Sequence, residues 1–142
     1  MAVDTFSKQT VSTELAHRLI TAAEAKAAEI GQPMAIAVVD ESGVLKAFSR
    51  MDGAPLLAVK IAQDKAYTAA GFGLSTHDWF DFIKDDAPLA MGAPVGIERL
   101  VVFGGGYPLK TQDAVIGGLG VSGGHYKEDM EVAQAGLAAM QT

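Results

Sequence analysis

The chain has no cysteine, which removes disulfides, thiolate metal sites and a cysteine nucleophile together. Positive charge is scarce as well: 11 lysines and arginines stand against 17 aspartates and glutamates, a formal net charge of −6. The basic residues are scattered, so no surface for neutralising nucleic-acid phosphates is built in. No apolar run approaches the roughly eighteen residues that a membrane span needs. The opening MAVDTFSKQT has neither the basic segment nor the apolar core of a signal peptide, so the cytoplasm is the expected location, with no nucleic-acid or membrane partner. The 3 histidines, His17, His77 and His125, are too far apart to share a helix turn as metal ligands.

What the chain does have is 49% hydrophobic residues and 16 glycines, the composition of one soluble globular domain spanning 1–142. Apolar residues at Leu15, Leu19, Ala23, Ala27 and Ile30 fall on one helical face, with Ser12 at its start and Gly31 and Pro33 at its end. Met34 to Asp40 and Val44 to Arg50 read as two strands of a hairpin turning at Glu41-Ser42-Gly43. Leu56 to Ala70 reads as a helix broken by Gly71 and Gly73, followed by a short helix carrying His77, Trp79, Phe80, Phe82 and Ile83. Asp85 to Gly96, with its prolines and glycines, reads as an irregular loop. Ile97 to Phe103 reads as a third strand, ended by Gly104 to Pro108; Leu109 to Asp113 is a connection, Ala114 to Val121 a fourth strand and Lys127 to Met140 a last helix. The order α-β-β-α-α-β-β-α implies an α+β fold, an antiparallel sheet flanked by helices.

The stretch Ala114 to Gly124, AVIGGLGVSGG, is the most distinctive part of the chain. Gly118, Gly120 and Gly123 spell the G-x-G-x-x-G of dinucleotide-binding turns, but too little chain follows for the helix, returning strand and acidic residue of that motif. The glycines instead mark a strand that something approaches closely, a ligand or another part of the protein.

Chemistry-bearing candidates lie around such turns. His125 follows Gly123-Gly124 and precedes the last helix, where backbone N–H groups form an anion-binding concavity, and it is the candidate metal ligand or proton carrier. His17 reads as a solvent-facing helix residue and His77 as stacked on Trp79 or Phe80. Arg50 and Asp52 form either a polar clamp at the sheet end or a local ion pair; Lys65, on the apolar side of its helix with Ile61, either snorkels or faces a polar pocket. Gly105, Gly106 and Tyr107, with Ser122, Gly123 and Gly124, complete the candidate ligand-binding set.

The segments GQPMAIAVVD (31–40), FSRMDGA (48–54), IAQDKAYTA (61–69), GGGYP (104–108) and IGGLGVSGG (116–124), with Asp129 beyond, together resemble the HbpS-like haem-binding family, also named after the GlcG glycolate-utilisation protein. The resemblance covers nearly the whole chain. It implies a profilin-like antiparallel sheet of four to five strands flanked by helices, assembled as a homo-oligomer. Some relatives bind haem at subunit surfaces or interfaces, some degrade it or sense redox state, one is the C-terminal partner of a corrinoid adenosyltransferase, and others accompany catabolic operons. The shared motifs carry no axial ligand, and a histidine at 125 departs from the small or hydroxyl residue expected there.

Two functions of different class follow. One is a cytoplasmic, oligomeric accessory protein that binds haem or a similar tetrapyrrole, degrading it or sensing redox state, with His125 as axial ligand and Arg50 or Lys65 for the propionates. The other is a cofactor-free enzyme for a small carboxylate or carbonyl metabolite, with glycine N–H groups holding an oxyanion, Arg50 or Lys65 a carboxylate, and His125 or Asp52 moving a proton. A structural or chaperone-like subunit is a third.

Overall fold

The computed structural model describes residues 3–112 and 114–140. Helix α1 (Thr13–Ile30) begins as its sequence predicts, with the Ser12 hydroxyl accepting from the Leu15 N–H at 3.0 Å, and ends at Gly31 in the left-handed region. Strands β1 (Ala35–Asp40) and β2 (Leu45–Arg50) form the hairpin, and α2 (Leu56–Phe72), α3 (Thr76–Ile83) and α4 (Ala87–Gly96) follow. Strands β3 (Gly106–Lys110) and β4 (Val115–Ser122) and helix α5 (Tyr126–Leu137) complete the chain. The sheet has four strands in the order β2-β1-β4-β3, all neighbours antiparallel.

Side-chain alternation along β1 and β4 assigns the two faces. Ile36, Val38, Leu119 and Val121 join Leu19, Ala23 and Val132 in a core beneath α1 and α5. Ala35, Ala37 and Val39 face Ala58, Ala62, Ala66 and Ala70 of α2. On that side β4 presents Gly118 and Gly120, where a Cβ would collide with the Ala66 and Ala62 carbonyl oxygens. Two glycines of the distinctive stretch, Gly118 and Gly120, are therefore occupied by a helix backbone, and α2 lies directly on the central strands.

Three readings of the sequence are corrected. Residues 85–96 are not a loop: Asp86 caps α4, its carboxylate accepting from the Leu89 N–H at 3.2 Å, so the element order has one helix more than expected. Residues 97–103 are not a strand. They run outside the sheet, with Arg99 in the left-handed region at φ 66° and tied to α2, because the Thr68 hydroxyl donates to the Arg99 carbonyl and accepts from the Val101 N–H. The third strand lies instead at 106–110, in what reads as a terminator and connection, and Pro108 is tolerated there because β3 is an edge strand. Asp113, the expected end of that connection, lies outside the described residues. Among the described residues no helix is long and apolar enough to cross a membrane.

Candidate functional site

Several of the sequence-selected residues gather at one end of the sheet, where β2 and β4 finish and β1 and β3 begin. Arg50 and Ser122 both pair with Ala35, and Gly106 pairs with Gly120. The centre of this end is Lys65, which is 0% exposed. Its ammonium donates to Asp129 Oδ2 at 2.8 Å and to the Val121 carbonyl at 2.9 Å, and lies 5.1 Å from the centre of the Phe103 ring. Asp129 Oδ1 accepts from the Gly124 N–H at 3.0 Å, so one buried ion pair ties α2, β4 and α5 together. Burial pushes the Lys65 ammonium down and the Asp129 carboxyl up from their ordinary values, and their mutual attraction opposes both shifts. Gly105, in the left-handed region at φ 126°, closes the pair from above: a Cβ there would stand 2.6 Å from the Lys65 Nζ.

The other selected residues separate from this centre. Arg50 and Asp52 are exposed on the β2 side, and among the described residues no ion pair joins them. Gly106 donates its N–H to the Thr76 hydroxyl at 2.9 Å, which positions the start of α3. The Gly123 carbonyl accepts from the Gln32 amide at 2.9 Å, closing the turn onto the end of α1. Arg50, Asp52, Lys65 and His125 line no common recess among the described clefts.

The three histidines differ in what their nitrogens already do. His125 is the N-cap of α5: its Nδ1 accepts from the Lys127 N–H at 3.2 Å, while Glu128 accepts from the His125 N–H at 3.0 Å. In the neutral ring that bond leaves the proton on Nε2. His77, on α3, keeps its Nε2 3.4 Å from the Ser75 hydroxyl and 3.6 Å from Asp78, and its Nδ1 is buried without a partner. Its ring lies 5.6 Å from that of Tyr107, whose phenol is pushed up by burial. His17 is exposed on α1, and neither of its nitrogens is engaged by a described residue.

Two recesses accompany these rings. A groove of about 580 Å³ runs along α1, with His17 and Arg18 beside a floor of Thr21, Ala22, Ala25 and Ala139. A cleft of about 480 Å³ between α3, the 102–104 segment and α5 is walled by Phe80, Phe103, Tyr126 and Met130, with His77 and Lys127 at its edge. Among the described residues no group of three or more His, Asp or Glu side chains is placed to hold a metal ion.

His17 is exposed on α1, as its sequence reading expects. Sequence reasoning assigns Asp129 no role, since the contact with Lys65 joins positions remote in the chain. The buried position of Lys65 was the one available signal, as its helical spacing puts it on the side of Ile61.

The HbpS-like family model, described as haem degrading protein HbpS-like, matches residues 11–138. The corrinoid adenosyltransferase PduO of Salmonella typhimurium is 35% identical over 94% of this chain, which spans only 41% of PduO's length. The crystal structure of Klebsiella pneumoniae ORFY superimposes with a TM-score of 0.91 at 30% identity, covering 98% of this chain and 96% of ORFY. That of a PduOC:haem complex does so with a TM-score of 0.84 at 33% identity, covering 92% of this chain and 95% of PduOC. With the four-stranded sheet, the glycine strand under α2 and a family match across nearly its whole length, the chain belongs to the HbpS-like family.

Proposed function

We propose that this protein binds haem, with His17 as the axial ligand and the α1 groove as the seat of the macrocycle. The carrying observation is the state of the three imidazoles. A ligand to iron needs a nitrogen lone pair that nothing else uses. His125 spends one nitrogen on a helix cap and protonates the other, and His77 has one nitrogen buried and the other beside Ser75 and Asp78. Among the described residues none engages a nitrogen of His17, which stands at the larger recess.

The residues around His17 suit a flat, largely apolar ligand with carboxylate arms. Ala22, Ala25 and Ala139 offer a floor without projecting side chains, and Arg18, which lies 3.5 Å from Glu14 and donates to the Ala139 carbonyl at 3.4 Å, would have to exchange Glu14 for a propionate. Haem would bring redox-active iron; the chain's part is to ligate it, orient it and neutralise its edge. The haem complex of the 33% identical PduOC supports the assignment. In the same reading the protein is a homo-oligomer, joined through the apolar face of α4.

The test is an absorption titration of the apo-protein with hemin, run on the wild type and on His17→Ala, His77→Ala and His125→Ala. A saturable Soret shift, weakened at least about tenfold in His17→Ala alone, is the expected result. Loss confined to His77→Ala would move the haem into the aromatic cleft, and loss confined to His125→Ala would restore the cap histidine as the ligand. An unsaturable shift in all four proteins would end the haem reading. Following the Soret band under reductant in the same samples separates degradation, seen as bleaching, from reversible redox cycling.

A further inference from the structure

A third recess, of about 350 Å³, lies apart from the α1 groove, and neither the family match nor the haem reading uses it. It is enclosed by the hairpin turn (Glu41, Ser42, Gly43), the outer side of α2 (Tyr67, Gly71, Phe72), Trp79 and the segment Ile97 to Leu100. Three features show it to be a built site rather than a surface dent.

Its lip is braced. Arg99 holds the left-handed conformation at φ 66°, which costs a non-glycine residue on the order of 1–3 kcal/mol unless the surroundings fix it. Here they do: Arg99 Nε donates to Asp64 at 2.8 Å, its guanidinium lies 3.9 Å from the Tyr67 ring centre, and the Thr68 hydroxyl donates to its carbonyl and accepts from the Val101 N–H. Its wall is aromatic, and Tyr67 is locked between Arg99 and the backbone of Gly43, where a Cβ would stand 2.8 Å from the ring. Its floor holds an unsatisfied donor. Trp79 is only 6% exposed, yet its indole N–H has no acceptor among the described residues. A buried donor of this kind normally has a partner, from the protein, water or a ligand. Phe72, packed 5.1 Å from Trp79 and 6.4 Å from Phe82, is itself 63% exposed and stands beside the indole at the recess.

The rim selects by charge. Glu41 and Glu98 both line it, and the Ser42 hydroxyl, with Lys8 behind it, holds the Glu41 carboxyl down at about 2, so it stays ionised across the physiological range. Lys8 stands 3.0 Å from Glu41 and offsets its charge, so the repulsion an anionic ligand meets comes chiefly from Glu98.

We propose that this recess is a binding site for a small aromatic molecule bearing one hydroxyl or carbonyl oxygen and no negative charge, its ring against Tyr67 and Phe72 and its oxygen accepting from the Trp79 indole. The volume lies within the range of ordinary small-molecule pockets. The proposal is independent of the haem reading, because it shares no residue with the α1 groove.

The chain's single tryptophan is Trp79, so intrinsic fluorescence reports on this site alone. The experiment titrates the apo-protein with benzyl alcohol, benzamide and benzoate, exciting at the red edge of the indole band. Saturable changes are expected with the alcohol and the amide, and binding at least about tenfold weaker with benzoate, a gap that Glu98→Gln narrows. A Cβ at Gly71 meets nothing within 4 Å, so Gly71→Leu fits the fold and fills the recess; it is expected to abolish the saturable response while preserving the circular dichroism spectrum. Linear, unsaturable quenching by all three compounds, or a saturable response unchanged in Gly71→Leu, would overturn the proposal. Benzoate binding as well as the alcohol would overturn the charge selection.

Discussion

At the residue scale the Lys65–Asp129 pair sets the largest single energetic stake. Two charges have been moved out of water, and what offsets that cost is their contact plus the bonds to the Val121 carbonyl and the Gly124 N–H. Removing one partner strands the other. Lys65→Met is therefore expected to lose about 3–5 kcal/mol in urea unfolding, whereas Lys65→Met combined with Asp129→Leu recovers most of it. The single variant also carries a pH signature. Asp129 in the folded state is already raised above its ordinary value by burial, and without Lys65 the main opposition to that shift is gone, leaving the bond from the Gly124 N–H. A raised carboxyl contributes stability that is full below the unfolded value of 3.8 and is lost as pH rises through the folded value. The deficit of Lys65→Met relative to wild type should thus be small in acid and grow toward neutrality. A deficit constant with pH would mean that the loss comes from packing alone.

At the element scale the decisive contact is α2 on β4, and glycine sets its distance. Gly120→Ala drives a methyl group into the Ala62 carbonyl, a collision with backbone that no rotamer relieves, and should cost more than about 3 kcal/mol or prevent folding. Gly71→Ala, in the same helix but facing open space, should stabilise by about 0.5–1 kcal/mol. Thermal unfolding of the two variants checks both signs. This contact also shows what could be read beforehand. The run from Gly117 to Gly124 announces close approach, because a strand so poor in side chains has no other use for them, and the periods of α1, α2 and the hairpin are strong enough to locate those elements. What approaches is fixed only by topology, and the glycines proved to accommodate a helix. The errors at 85–96 and 97–103 have a shared cause. Local composition favours a loop in the first and a strand in the second, but the cap at Asp86 and the clamp of Thr68 on Arg99 decide otherwise, and Thr68 lies more than a helix away in sequence. The candidate site was half legible: Lys65 and the glycine turns stand out by spacing, whereas the contact of Lys65 with Asp129 depends on tertiary neighbours.

At the scale of the whole molecule the feature that asks for a partner is α4. A surface helix in a soluble protein ordinarily buries one face and shows a polar one. Helix α4 is APLAMGAPVG, with no charged residue at all, and only Ala93 is buried. Met91 is 78% and Val95 86% exposed, and Leu89 and Ile97 extend the same apolar surface. Leaving it in water costs free energy at roughly 25 cal/mol per Å², and patches of this kind mark contact surfaces. The acidic chain supplies no cationic match for a membrane headgroup on this helix, so a second copy of the same face is the partner that fits its chemistry. Replacing both Met91 and Val95 with glutamate puts like charges on each side of such a contact. Sedimentation should then show a shift from oligomer to monomer with the helix content unchanged, since both side chains point away from the chain's own core. A wild type that already sediments as a monomer, or a double variant that assembles as before, would place the contact elsewhere and leave α4 without the role its composition suggests.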